Sequence, residues 1–197
     1  MRDILIASQN RDKLREIERL LAGSAFRFLI PRDVGIEESP EETAATFLGN
    51  ARIKAEHYSE VSGLPAVADD SGLSIDAMDG EPGVYSSRFC GEGATYPQRF
   101  DEIWRRLRDL PEERRTARFT CAVVMVEAGA VLFETEQHVH GIIASSPKGV
   151  NGFGYDPIFF HPPSGCTTAE LSREAKDRIS HRGQAFAKLR EFLASSR

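Results

Sequence analysis

Ile4-Leu5-Ile6-Ala7 is a short unbroken apolar run of the kind a buried strand makes, and Leu14, Ile17, Leu20 and Leu21 follow it at helical spacing. Gly23 stops that helix and Phe26–Ile30 supplies a second strand, so the chain opens β-α-β. Ser39-Pro40-Glu41-Glu42 offers an N-cap, a proline at the first helical position and a glutamate three residues after the cap. It predicts a second helix from Ser39 to about Ser62, ended by Gly63 and Pro65. Ala66-Val67-Ala68 predicts a brief strand that runs into Asp69-Asp70-Ser71-Gly72, and the glycine-rich stretch to Gly93 reads as irregular, exposed, site-building chain. Thr95-Tyr96-Pro97-Gln98 repeats the capping logic and opens a third helix that carries Phe100, Ile103, Trp104 and Leu107 inward. Phe119–Val126 and Val131–Ile143 predict a long antiparallel hairpin, Ile158-Phe159-Phe160 a short strand, and Phe186, Leu189, Phe192 and Leu193 a closing helix. The fold class is α/β, a long mixed sheet flanked by helices. Residues 1–197 carry no repeat or linker, which predicts a single domain.

Composition narrows the setting. With 41% of residues apolar and 28% charged, the chain can bury a substantial core, so disorder is excluded. No apolar run approaches the roughly 20 residues needed to span a bilayer. The apolar part of the opening segment is also too short for a signal peptide. The three cysteines, Cys90, Cys121 and Cys166, show neither a C-x-x-C pair nor zinc-ligand spacing with histidine. The expected location is a reducing cytoplasm, with no membrane partner. The formal net charge of −5 does not gather phosphate backbones at long range. Nucleic acid is therefore not an expected partner, and a bound polyanion must meet a local cluster of cations.

Several segments could supply such a cluster. Ser8-Gln9-Asn10-Arg11-Asp12-Lys13 lies where the first strand meets a helix N-terminus, a place that favours anions. Asn10 either helps hold phosphate oxygens or merely caps the helix, and Lys13 either adds charge or stays solvated. Asp69-Asp70 follows a strand at the end where α/β sheets build sites. With Glu42 these aspartates are the oxygen ligands Mg²⁺ takes, although Asp-Ser-Gly is also a common turn and Glu42 also fits a capping box. Side chains alternate along a strand, so Asp69 and Asp70 should point to opposite sides unless the chain turns between them. On a helix starting at Ser39, Lys54 would lie about 18 Å along the axis from Glu42 and the two would not touch. Gly149-Val150-Asn151-Gly152-Phe153-Gly154-Tyr155-Asp156-Pro157 strips side chains from around aromatics, either to let backbone approach a flat ligand or to form a tight loop on buried anchors. Lys176 and Ser180-His181-Arg182-Gly183 place cations just before and at the start of the last helix.

In this order and spacing, together with Asn50 and Gly83-Val84-Tyr85-Ser86-Ser87-Arg88, these motifs resemble the inosine triphosphate pyrophosphatase family over nearly the whole chain. The resemblance implies a Mg²⁺-dependent homodimeric hydrolase with an active-site cleft between two lobes. Its substrates would be the non-standard purine nucleoside triphosphates ITP, dITP and XTP, cut between the α- and β-phosphates to the monophosphate and pyrophosphate. Carried over by position, Ser8, Gln9, Asn10, Arg11, Asp12 and Lys13 would hold the triphosphate. Asp70 would be the metal-associated general base, Ser71 a substrate contact, Glu42 and Asp69 metal participants, and Lys54 a catalytic neutraliser of phosphate charge. Phe153, Gly154, Tyr155 and Asp156 would form the base and ribose pocket, and Lys176, His181 and Arg182 would close over the nucleotide. Gln9 departs from the family pattern, where glycine is frequent. Two other readings compete: a pyrophosphatase for pyrimidine nucleotides, as in the related Maf-like proteins, and a nucleotide-binding regulator or RNA-binding module that has lost catalysis.

Overall fold

The structure, a computed structural model, describes residues 3–195. Its strands form one seven-stranded mixed sheet in the order β2-β1-β3-β4-β5-β6-β7, accompanied by five α-helices. β1 (Asp3–Ile6) pairs in parallel with β2 (Arg27–Leu29) and with β3 (Ala66–Ile75). α1 (Arg11–Leu20) makes the first crossover. β4 (Thr116–Glu127) and β5 (Ala130–Ile143) are sheet neighbours joined by Ala128-Gly129, both at positive φ, as a tight hairpin turn requires. β6 (Phe159–His161) and β7 (Cys166–Thr167) continue the sheet antiparallel. Among the described residues no helix is long and apolar enough to cross a membrane.

The chain divides into two compact units, Met1–Asp70 with Cys121–Gln137 and Arg182–Arg197 in one, and Ser71–Thr120 with His138–His181 in the other. The first has a core of Ile4 and Ile6 from β1, Ile17 and Leu21 from α1 and its end, Val67 from β3, and Val123 and Met125 from β4. Phe186, Leu189 and Leu193 of α5 (His181–Ser195) complete it. The second is built on Leu73 and Ile75 of β3, Phe100, Ile103 and Leu107 of α3 (Tyr96–Leu107), and Phe119, Ile143 and Phe159. There Trp104 is only partly buried, and its indole N–H donates to the Ala144 carbonyl at 2.7 Å, satisfying the one polar group it brings in.

Two elements differ from the sequence expectation. α2 begins at Phe47, not at Ser39, and runs to Ser62, where Gly63 closes it in the left-handed conformation at φ 67°. The cap is Thr46, whose hydroxyl accepts from the Gly49 amide at 3.1 Å. The Ser39 hydroxyl instead meets the Tyr58 hydroxyl at 3.1 Å, and Glu42 turns its carboxylate to Lys54, so the capping residues of the expected start are used elsewhere. β3 is ten residues long and passes straight through Asp69-Asp70-Ser71-Gly72, with Leu73 and Ile75 fully buried. The polar tetrapeptide hid a central strand because its charges are paired inside the protein. An additional helix, α4 (Arg173–Ile179), precedes α5 and carries Lys176. Because Thr46 holds the cap, Thr46→Ala is expected to cost ~1 kcal/mol and to loosen the first turn of α2. Ser39→Ala should leave those amides protected, and hydrogen exchange across residues 47–51 distinguishes the two outcomes.

Candidate active site

In the first unit, alternation along β3 separates the two aspartates. Asp70 faces α2, where Lys54 donates to its Oδ1 at 3.1 Å and the Asn50 side-chain amide to its Oδ2 at 3.4 Å. The same Lys54 ammonium reaches Glu42 Oε1 at 2.7 Å. This overturns the expected separation of Glu42 and Lys54: they are not on one helix, because the chain from Ser39 to Thr46 is irregular and folds back over the α2 N-terminus. Asn50 fixes that path by accepting the Ala44 amide on its Oδ1 at 2.9 Å.

Asp69, its side chain fully buried, is engaged instead by Lys13 at 3.1 Å and Arg182 at 3.4 Å. Arg182 also binds Glu16 at 2.6 Å. Burial is the largest influence on Asp69 and opposes ionisation, but Lys13, Arg182 and Lys54 together outweigh it and hold the carboxyl well below the usual range. At Asp70 burial prevails over Lys54 and Lys13, with Glu42 adding to it, and the carboxyl lies above its ordinary value. Burial also works against the charge on Lys54, yet Asp70, Asp69 and Glu42 keep its ammonium more firmly protonated than usual.

The β1–α1 loop is internally bonded. Asn10 caps α1, its Oδ1 accepting from the Asp12 and Lys13 amides at 3.0 and 3.2 Å, and Ser8 Oγ accepts the Asn10 amide at 3.3 Å. Gln9 donates to the Glu37 carbonyl at 2.8 Å, tying the loop to the chain after β2. Arg11 and Asp12 are exposed, whereas Lys13 is drawn inward to Asp69.

In the second unit the 149–157 loop is organised around buried Asp156. Its Oδ2 accepts from Lys176 at 2.5 Å and from the Phe153 amide at 2.9 Å, and its Oδ1 accepts the Thr168 hydroxyl at 2.8 Å. Gly152 sits at φ 74° with no room for a side chain, since a Cβ there would collide with Asp156 Oδ2. Tyr155 is a buried anchor whose hydroxyl donates to the Ser86 carbonyl at 2.8 Å. Phe153 is half-buried, with the Lys176 ammonium 5.3 Å from its ring centroid. His181 is buried and stacks on Phe119 at 4.8 Å. Ser71, directly after Asp70, is half-buried on β3.

Placed this way, Asp70, Glu42 and Lys54 form one centre, and Phe153, Gly154, Tyr155, Asp156 and Lys176 form one loop cluster. Arg182 sits within the first unit as a buried counter-charge to Asp69 and Glu16. Glu16 escaped the sequence reading, although an acid three residues after Lys13 shares its helix face. Glu42 and Asp70 converge on a single ammonium, so a cation between them already has two carboxylate ligands, the number Mg²⁺ commonly takes from protein. No group of three His, Cys, Asp or Glu side chains able to hold a metal occurs among the described residues. The two carboxylates fit an ion that completes its shell with water and phosphate oxygens.

Fold and centre define an α/β protein in which buried carboxylates are paired with lysines. The chain matches the Ham1 family over residues 4–192 and belongs to it. The dITP/XTP pyrophosphatase of Shigella flexneri is 44% identical over 195 residues, 98% of each chain. Among solved structures, the HAM1 protein of Coxiella burnetii superposes with a TM-score of 0.90 at 41% identity, covering 99% of this chain and 100% of that one. The Ham1 protein of Staphylococcus aureus also gives 0.90, at 34% identity and full coverage of both.

Because Asp69 has a depressed folded-state pKa, its ionisation adds stability above the unfolded carboxyl value of about 3.9 and loses it as pH falls through the folded value. Asp69→Asn leaves Lys13 and Arg182 without their shared carboxylate and should cost roughly 3–5 kcal/mol at pH 7. Denaturant titrations at descending pH should show the gap between wild type and variant narrowing only below about pH 4; a gap constant with pH would contradict the assignment.

Proposed function

We propose that this chain hydrolyses ITP, dITP and XTP to the nucleoside monophosphate and pyrophosphate, with Mg²⁺ as its cofactor. The observation that carries the reading is the buried centre in which Lys54 bridges Asp70 and Glu42. The named activity of the Shigella flexneri relative and the near-complete coverage of the match support the choice of substrate.

In this proposal Asp70 accepts a proton from the attacking water as its oxygen bonds to the α-phosphorus and the bond to the β-phosphate oxygen breaks. A carboxyl whose pKa is raised by burial is a stronger base than a surface aspartate, which suits it to that task. Lys54 offsets charge growing on the phosphates, and its firm protonation means it acts as a fixed cation and not as an acid. Mg²⁺, held by Glu42 and Asp70, would supply further neutralisation and orient the polyphosphate. Asp69 is assigned the task of fixing Lys13, which with Ser8 and Arg11 grips phosphate oxygens. Since the amides of Ser8, Asn10, Asp12, Lys13 and Leu14 already donate within the β1–α1 region, side chains and not bare backbone would do most of that gripping.

The Phe153 ring is assigned to stack on the base, and Lys176, which can only donate, to favour an oxo group over an amino group at its edge. Ser71 and His181 complete the substrate contacts. A homodimer in the cytoplasm belongs to the same proposal and rests on the family likeness; sedimentation of the purified chain checks the oligomeric state.

Pyrophosphate release should be seen from ITP, dITP and XTP with Mg²⁺ and be lost when the metal is chelated. Asp70→Asn should keep the fold and lower turnover by about two orders of magnitude. Release of orthophosphate, a preference for pyrimidine triphosphates, or near-normal turnover of the variant would overturn the reading.

Selectivity gives a separate check. A donor aimed at a 6-oxo group is left unpaired by adenine, whereas guanine keeps that oxo group and differs only at position 2. The kcat/KM ratio of ITP over ATP should therefore exceed that of ITP over GTP, and equal values for ATP and ITP would contradict the role given to the 153–156 loop.

A further inference from the structure

We infer that Asn50 is a positioning residue for the reaction proposed above: it holds the Asp70 carboxylate in its working orientation and locks the Glu42 segment beside it. The inference rests on that reading of Asp70 as general base.

Asn50 lies in the first turn of α2, four residues before Lys54, so the two side chains share one helix face. Together they divide the two oxygens of Asp70, Lys54 taking Oδ1 and Asn50 taking Oδ2. Asn50 is completely buried, so water does not substitute for its amide. The orientation of that amide is also determined. Its Oδ1 accepts the Ala44 backbone N–H at 2.9 Å, and an N–H donor there admits only the carbonyl end, which leaves the NH₂ toward Asp70. One side chain thus fixes two things at once. It donates to the carboxylate that takes the proton, and it ties down Ala44, two residues from Glu42.

The donor to Oδ2 is a neutral amide. Without it the carboxylate could rotate about its terminal torsion; with it one oxygen is directed while the Lys54 pair balances the charge.

The two jobs separate experimentally. Asn50→Asp is nearly isosteric and keeps an acceptor for Ala44, but replaces the donor to Asp70 by an acceptor. If Asn50 positions Asp70, kcat should fall roughly 10- to 100-fold, the range for losing a supporting hydrogen bond behind a working group. KM, and the calorimetric affinity for a non-hydrolysable purine triphosphate analogue, should stay within about threefold, since the phosphate and base contacts are untouched. A purely architectural Asn50 predicts wild-type kcat in Asn50→Asp, because the Ala44 bond survives, and that result overturns the inference. If circular dichroism shows Asn50→Asp to be unfolded, Asn50→Ser, which keeps a hydroxyl able to donate and adds no charge, takes its place. It should then retain more kcat than Asn50→Ala, and equal loss in both overturns the inference. Absence of pyrophosphate release from the wild-type chain would instead remove the underlying assignment of Asp70, so the two failures are told apart.

Discussion

An ammonium taken out of water must be met by enough negative charge to repay its lost hydration, and Lys54 shows how this chain does so. It is buried, and it keeps its proton because Asp70 and Glu42 lie within hydrogen-bonding distance and Asp69 adds to the local field. The arrangement in turn sets the character of Asp70, which burial raises and Lys54 restrains. Neither residue could be left alone in that environment, so the two sides of the centre, β3 and α2, are locked together by electrostatics as much as by apolar packing. The irregular chain from Ser39 to Thr46 exists because Glu42 has to arrive at the same ammonium from outside the helix.

β3 is the element on which this depends. A strand alternates its side chains, and consecutive aspartates on one strand cannot serve the same cation. Asp69 is therefore given a second, independent set of partners, Lys13 from α1 and Arg182 from α5, with Glu16 closing the set behind Arg182. Four segments distant in sequence meet at one dipeptide. The same principle orders the 149–157 loop around Asp156, whose two oxygens and carbonyl take up Lys176, the Phe153 amide, the Thr168 hydroxyl and the Ala169 amide. At Asp156 a buried, multiply bonded acid gives irregular chain a single shape.

The motifs themselves are legible in the sequence. Asp69-Asp70, the glycine and aromatic loop and the lysines stand out by residue type, and the first, third and last helices follow from apolar spacing and caps such as Thr95 with Gln98. The errors share a cause. Ser39-Pro40-Glu41-Glu42 has every local feature of a helix start, yet its glutamate gains more from Lys54 than from a capping box. Asp69-Asp70-Ser71-Gly72 looks like a turn because four polar residues rarely form the middle of a buried strand, and only their partners make it affordable. The boundaries of the two units, by contrast with their number, were hidden, since they fall within β3, β4 and β5 and between His181 and Arg182, where no linker composition marks them.

By itself the sequence determined which residue types are available and where periodicity forces a helix or a strand, because those depend on neighbours within a turn or two of chain. It left open whether Asp69 and Asp70 would part company, since strand alternation separates them only if no turn falls between them. Tertiary structure alone decided which partner each charge receives: Lys54 with Glu42, Lys13 and Arg182 with Asp69, Asn50 with Asp70. Those choices turn on distances between segments far apart in the chain and on the removal of water from around them, and no local pattern encodes either.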